Sequence, residues 1–104
     1  MEDTICAIST ALGDGAISIV RVSGLKAINI VNKIFIGRNL LKAESNTISY
    51  GKIKSKKDII DEVLVSVFRA PKSYTCEDIV EINCHGSIIS VKKILDLLLD
   101  NGCR

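Results

Sequence analysis

Five segments rich in β-branched residues and two of helical period follow one another in the order β, β, α, β, β, β, α. That order predicts an α/β protein of the α+β kind, a single mixed sheet with two helices packed on it. The polar link Ser55-Lys56-Lys57-Asp58 has hairpin length and predicts that the strands on either side pair antiparallel. Neither a G-x-x-x-x-G-K-[ST] nor a G-x-G-x-x-G motif is present, which argues against a doubly wound nucleotide fold.

Each element has its own signal. Thr4 to Ile8 reads as a short buried strand, and Gly13-Asp14-Gly15 as the turn after it rather than a phosphate loop. Ala16 to Val22 is a second strand of small and β-branched residues, and Ser23 is placed to cap the helix that follows. In that helix Ala27, Ile30, Val31, Ile34 and Phe35 recur at helical spacing, and Gly37 ends it. Thr47 to Lys54 and Ile60 to Arg69 are the hairpin strands. After a turn from Ala70 to Thr75, Asp78 to Cys84 forms the last strand. A helix from about Ser87 to Asp100 has Ile88, Val91, Leu95 and Leu98 on its inner stripe, and Asn101-Gly102 closes it. Leu97 and Leu99 widen its apolar surface beyond one stripe, so a partner or further chain is expected to cover them.

Composition excludes several classes. With 47% apolar and 25% charged residues in 104, the chain has the make-up of one ordinary globular domain rather than of a disordered or coiled-coil protein. The net charge of +2 is weak for a nucleic-acid surface, although Lys52, Lys54, Lys56 and Lys57 cluster. Its four aromatic residues, Phe35, Tyr50, Phe68 and Tyr74, leave little for a base-stacking platform. No apolar run is long enough to span a bilayer, and the acidic start, Met1-Glu2-Asp3-Thr4, is unlike an export signal, so a cytoplasmic protein is expected. Cys6, Cys76, Cys84 and Cys103 have no C-x-x-C spacing and are expected as reduced thiols. A zinc site from Cys76, Cys84 and His85 is disfavoured because neighbours on a strand point oppositely, and no metal is expected.

The most informative stretch runs from Ala70 to Gly86. As a strand, it turns Val80, Ile82 and Cys84 to one side and Glu81, Asn83 and His85 to the other. A solvent-facing edge explains such a face, and so does a ligand site built from a carboxylate, an amide and an imidazole where a strand gives way to a helix.

The sequence resembles the N-terminal domain of the tRNA-modification GTPase family MnmE/TrmE over essentially its whole length. The resemblance rests on Asp3-Thr4-Ile5, on the run from Gly15 to Gly24 that includes Arg21, and on Asp61-Glu62-Val63-Leu64-Val65. It rests further on Pro71-x-Ser-Tyr-Thr-x-Glu-Asp-x-Val-Glu81 followed by His85-Gly86. It implies the folate-binding fold of the glycine-cleavage T-protein. It also implies a domain that dimerises the enzyme and binds a tetrahydrofolate derivative, 5-formyl- or 5,10-methylene-tetrahydrofolate, as one-carbon donor.

Arg21 and Glu81 are the folate contacts the resemblance carries over, with Tyr74, Asn83 and His85 as a secondary pocket and no catalytic residue. GTP, Mg and K would bind only through other domains, and a flavin-dependent protein and tRNA would be partners of the longer enzyme, which modifies C5 of the wobble uridine. The chain is therefore expected to be an N-terminal fragment of such a GTPase, without GTPase activity of its own. Three departures stand out: Ala11-Leu12 where prolines are common, Cys76 where Gly is usual, and Ser87 where a second Gly commonly follows His-Gly.

Residue chemistry fits the transfer, since a carboxylate accepts two parallel N–H bonds from a pterin edge and a guanidinium suits folate's carbonyl or anionic groups. The competing readings are an oligomerisation module in which Arg21 and Glu81 form an internal ion pair, and an RNA surface made of Lys54, Lys56, Lys57, Lys92 and Lys93.

Overall fold

The computed structural model describes residues 3–9, 18–56, 58–70, 77–85 and 87–104. Six strands and two helices follow the expected order with one addition: β1 Ile5–Ile8, β2 Ser18–Ser23, α1 Ala27–Ile34, β3 Phe35–Ile36, β4 Thr47–Lys54, β5 Ile59–Phe68, β6 Ile79–Cys84 and α2 Ile88–Asp100. The strands form one sheet in the order β1-β2-β6-β5-β4-β3. Each pairing in it is antiparallel, where the sequence suggested a mixed sheet. The chain crosses from β2 through α1 to β3 at the far edge and returns through β4 and β5, so β6 lies between β5 and β2 and runs against both.

Strand parity divides the sheet into two faces. Val20 and Val22, Val63, Val65 and Val67, and Val80, Ile82 and Cys84 are fully buried on the face that packs against Ile30, Val31 and Ile34 of α1 and Val91, Ile94 and Leu98 of α2. Burying this many aliphatic side chains, each worth roughly 1.5–3 kcal/mol, supplies the main driving force for the fold. The opposite face is covered by neither helix and holds Arg21, Glu81 and Asn83. No helix among the described residues is long and apolar enough to cross a membrane.

Several local expectations change. Ser23 does not cap α1: β2 runs through it, and its Oγ donates to Glu77 Oε1 at 2.8 Å. Gly24 follows at φ 140°, a conformation that favours glycine, and the Lys26 N–H at the helix start donates to Thr4 Oγ1 at 3.0 Å. A cap supplied from 22 residues away is no different in chemistry from a local one, but it has no sequence signature. Phe35 leaves the helix to begin β3, with its ring against Gly51, where any Cβ would collide with that ring and with the Ile36 carbonyl.

In α2 the inner stripe is Val91, Ile94 and Leu98 with Leu95 partly buried against it, whereas Ile88 is exposed. Leu97 packs partly on the core and Leu99 is exposed. The expected Gly13–Gly15 turn, most of the turn after Ala70, Tyr74 and Cys76 lie outside the described residues.

Candidate functional site

The register of β2 against β6 sets Arg21 directly opposite Glu81 on the uncovered face. Glu81 is in turn opposite Ser66 of β5, Ser66 opposite Ile48 of β4, and Arg21 opposite Ala7 of β1. One cross-strand row therefore reads Ala7, Arg21, Glu81, Ser66, Ile48, with the charged pair at its centre. Small residues, Ala7 and Ser66, flank the pair on both sides.

Arg21 Nη2 donates to Glu81 Oε2 at 2.7 Å and Nε donates to the same oxygen at 3.0 Å. One carboxylate oxygen takes both bonds, and Oε1 accepts none among the described residues. The side chains are 45% and 22% exposed, so the pair is wet rather than sealed in the core. Half the carboxylate and part of the guanidinium are thus still able to bond a ligand.

Asn83 sits half-buried in the next row, between Ile19 of β2 and Leu64 of β5. That row extends to Tyr50 on β4, whose hydroxyl donates to Glu62 Oε2 at 3.0 Å. The hydrogen bond to this carboxylate raises the Tyr50 pKa. His85 lies just past β6, held by its N–H to Asp61 Oδ2 at 3.0 Å and by Nδ1 at 3.2 Å from the Glu62 carbonyl oxygen. A carbonyl oxygen only accepts, so the neutral ring carries its proton on Nδ1 and leaves Nε2 as an acceptor.

The structure therefore brings Arg21, Glu81 and Asn83 onto one face and anchors His85 at its end, while Tyr74 lies outside the described residues. Ser66 and the Tyr50–Glu62 bond were not singled out from the sequence. Nothing local marks them, because their place depends on the β5–β6 and β4–β5 registers.

Cys84, on the buried face, donates its thiol to the Ile82 carbonyl and is pushed up to about 12, first by burial and then by the nearby Asp61 charge. Among the described residues no group of three His, Cys, Asp or Glu is arranged to hold a metal ion.

Residues 4–104 match the family model for the GTP-binding protein TrmE N-terminus. The chain belongs to the TrmE N-terminus family. It is similar to the tRNA modification GTPase MnmE of Carboxydothermus hydrogenoformans, 61% identical over 100% of this chain and 24% of that protein. Proteins of the same name from Streptococcus thermophilus and Bacillus cytotoxicus are each 58% identical over 98% of this chain, which covers 22% and 23% of their lengths. The chain spans about a quarter of the curated relatives it matches. In this TrmE N-terminal sheet, the sequence blocks that end in β2 and β6 come together at the Arg21–Glu81 contact.

Proposed function

We propose that this chain is the tetrahydrofolate-binding and dimerisation domain of a cytoplasmic GTPase that, with a flavin-dependent partner, modifies C5 of the wobble uridine of tRNA. Membership of the TrmE N-terminus family supports the setting, and the relatives' name, tRNA modification GTPase, supports the reaction. The observation that carries the folate reading is the Arg21–Glu81 pair, half-exposed on an uncovered sheet face with Glu81 Oε1 unused. Glu81 would accept the amino and ring N–H groups of the pterin, and Arg21 would bond its carbonyl or an anionic group. GTP, Mg and K would belong to domains other than this one, whose sequence carries no G-x-x-x-x-G-K-[ST] motif and is expected to hydrolyse no GTP.

The second reading, an oligomerisation module, is favoured by the same contact: a 2.7 Å ion pair needs no ligand to satisfy it. Calorimetric titration with 5-formyltetrahydrofolate at two salt concentrations separates the two. Glu81→Gln replaces one acceptor oxygen with a donor facing the pterin N–H edge, and is expected to weaken binding by about 1–3 kcal/mol with little salt dependence. Arg21→Ala removes a half-exposed charge, so its penalty shrinks as salt rises. Equal binding by wild type and both variants would leave the pair structural and take the folate site away from it, while no binding by the wild type would reject the folate reading.

A further inference from the structure

A cavity of about 410 Å³ opens where the C-terminal ends of α1 and α2 meet the tip of the β4–β5 hairpin. Ile34 and Leu97 form its apolar floor, and Lys33, Lys54 and Lys56 stand around it with Asp100. Three ammonium groups against one carboxylate leave an excess of two positive charges, equal to the net charge of the entire chain.

The lysines are not consumed by structure. None of the three forms an ion pair among the described residues, where the salt bridges are Arg21–Glu81 and Arg104–Asp3. Nor does the end of α2 require them: Asn101 Nδ2 donates to the Leu97 carbonyl at 2.8 Å, and the N–H groups of Asn101, Gly102 and Cys103 bond the Leu98 and Leu99 carbonyls. Lys33 does sit in the last turn of α1, where the helix dipole stabilises it, but that is a surface effect and places no demand on Lys54 or Lys56.

We propose that this cavity binds a phosphate-bearing anion, either a free polyphosphate group or the phosphodiester of an RNA backbone. The volume falls within the usual range for small-molecule sites. Lysines arriving from a helix end and from a hairpin serve as point charges for phosphate, while the apolar floor takes sugar carbon. Among the described residues no aromatic side chain lines the cavity, so phosphate rather than base is what it reads. This goes beyond the folate reading, and because both helices line the cavity it lies on the other side of the sheet from Arg21 and Glu81.

Titration of the isotopically labelled chain with sodium pyrophosphate and, separately, with a short RNA hairpin tests it by amide chemical shifts. Shifts are expected to centre on residues 33–34, 54–56 and 97–101. Lys33→Gln with Lys54→Gln is expected to weaken binding about tenfold or more, while Lys92→Gln with Lys93→Gln, an equal loss of charge on the exposed side of α2, changes it less than twofold. Pyrophosphate alone giving this pattern assigns a free phosphate ligand; RNA giving it, with affinity falling steeply as salt rises, assigns a nucleic-acid backbone. Shifts elsewhere, no shifts with either probe, or equal losses in the two double variants would overturn the proposal. None of these outcomes bears on folate binding.

Discussion

Arg21 and Glu81 touch at hydrogen-bonding distance, yet the energy of that contact in water is small. With both side chains partly solvated, such a pair contributes about 0–1 kcal/mol to stability, so Glu81→Gln and Arg21→Ala leave the fold standing and isolate effects on binding. The buried thiols behave differently. Cys84 and Cys103 are both pushed up to about 12, chiefly by burial, from an ordinary 9.0. A raised folded-state value leaves stability intact below about pH 9, where both states are protonated. As pH climbs from 9 toward 12 the unfolded chain releases these protons first, so stability falls by about 1.4 kcal/mol per pH unit for each thiol. At pH 8 the folded protein is expected to protect both thiols from iodoacetamide, while the urea-unfolded chain is alkylated at both; mass spectrometry of the peptides reads this. Rapid native alkylation of Cys84 would contradict its burial. Burial of Cys84 follows from the alternation of Val80, Ile82 and Cys84 in the sequence, whereas the Arg21–Glu81 contact joins residues sixty apart and depends on strand order. Only the family resemblance named that pair in advance.

At the scale of elements, hydrophobic period identifies both helices and the buried stripe of α1, but not how α2 is turned. Along α2 the sequence offers apolar residues at 88, 89, 91, 94, 95, 97, 98 and 99, so several stripes are compatible with the pattern, and tertiary contact chooses Val91, Ile94 and Leu98. Ile94→Ala is therefore expected to cost about 2–5 kcal/mol in urea denaturation, through lost burial and the cavity left behind. Ile88→Ala, at an exposed first-turn position, should change stability by less than about 0.5 kcal/mol. The reverse ranking would restore the stripe read from sequence. The β3 strand escaped notice for a similar reason: Phe35 fits the helical period as well as the strand, and the glycine that admits its ring, Gly51, lies on β4. Ser23 was a plausible cap by residue type, but the helix start is satisfied by Thr4, whose role no local pattern announces.

Over the whole molecule, the order of elements and the hairpin are readable from segment lengths and turn residues, while the placement of β6 between β5 and β2 is not. That placement makes the sheet antiparallel and gives it a second face, and it bears on where the proposed dimer would form. The sequence pointed to Leu97 and Leu99, but Leu97 packs partly on the core, so of the two only Leu99 is exposed. The uncovered sheet face instead presents Ile48 and Tyr50, 65% and 62% exposed, beside half-buried Leu64 and Phe68. A two-fold pairing through a flat face of this kind is isologous, so one substitution is felt twice. Ile48→Lys would bring two ammonium groups into the interface, and the cost of desolvating them dissociates a modest interface. Sedimentation velocity at micromolar concentration is expected to show a dimer for the wild-type chain, a monomer for Ile48→Lys and an unchanged dimer for Leu99→Lys. Dissociation by Leu99→Lys but not Ile48→Lys would move the interface to α2, and a monomeric wild type would remove dimerisation from the functions proposed for this chain.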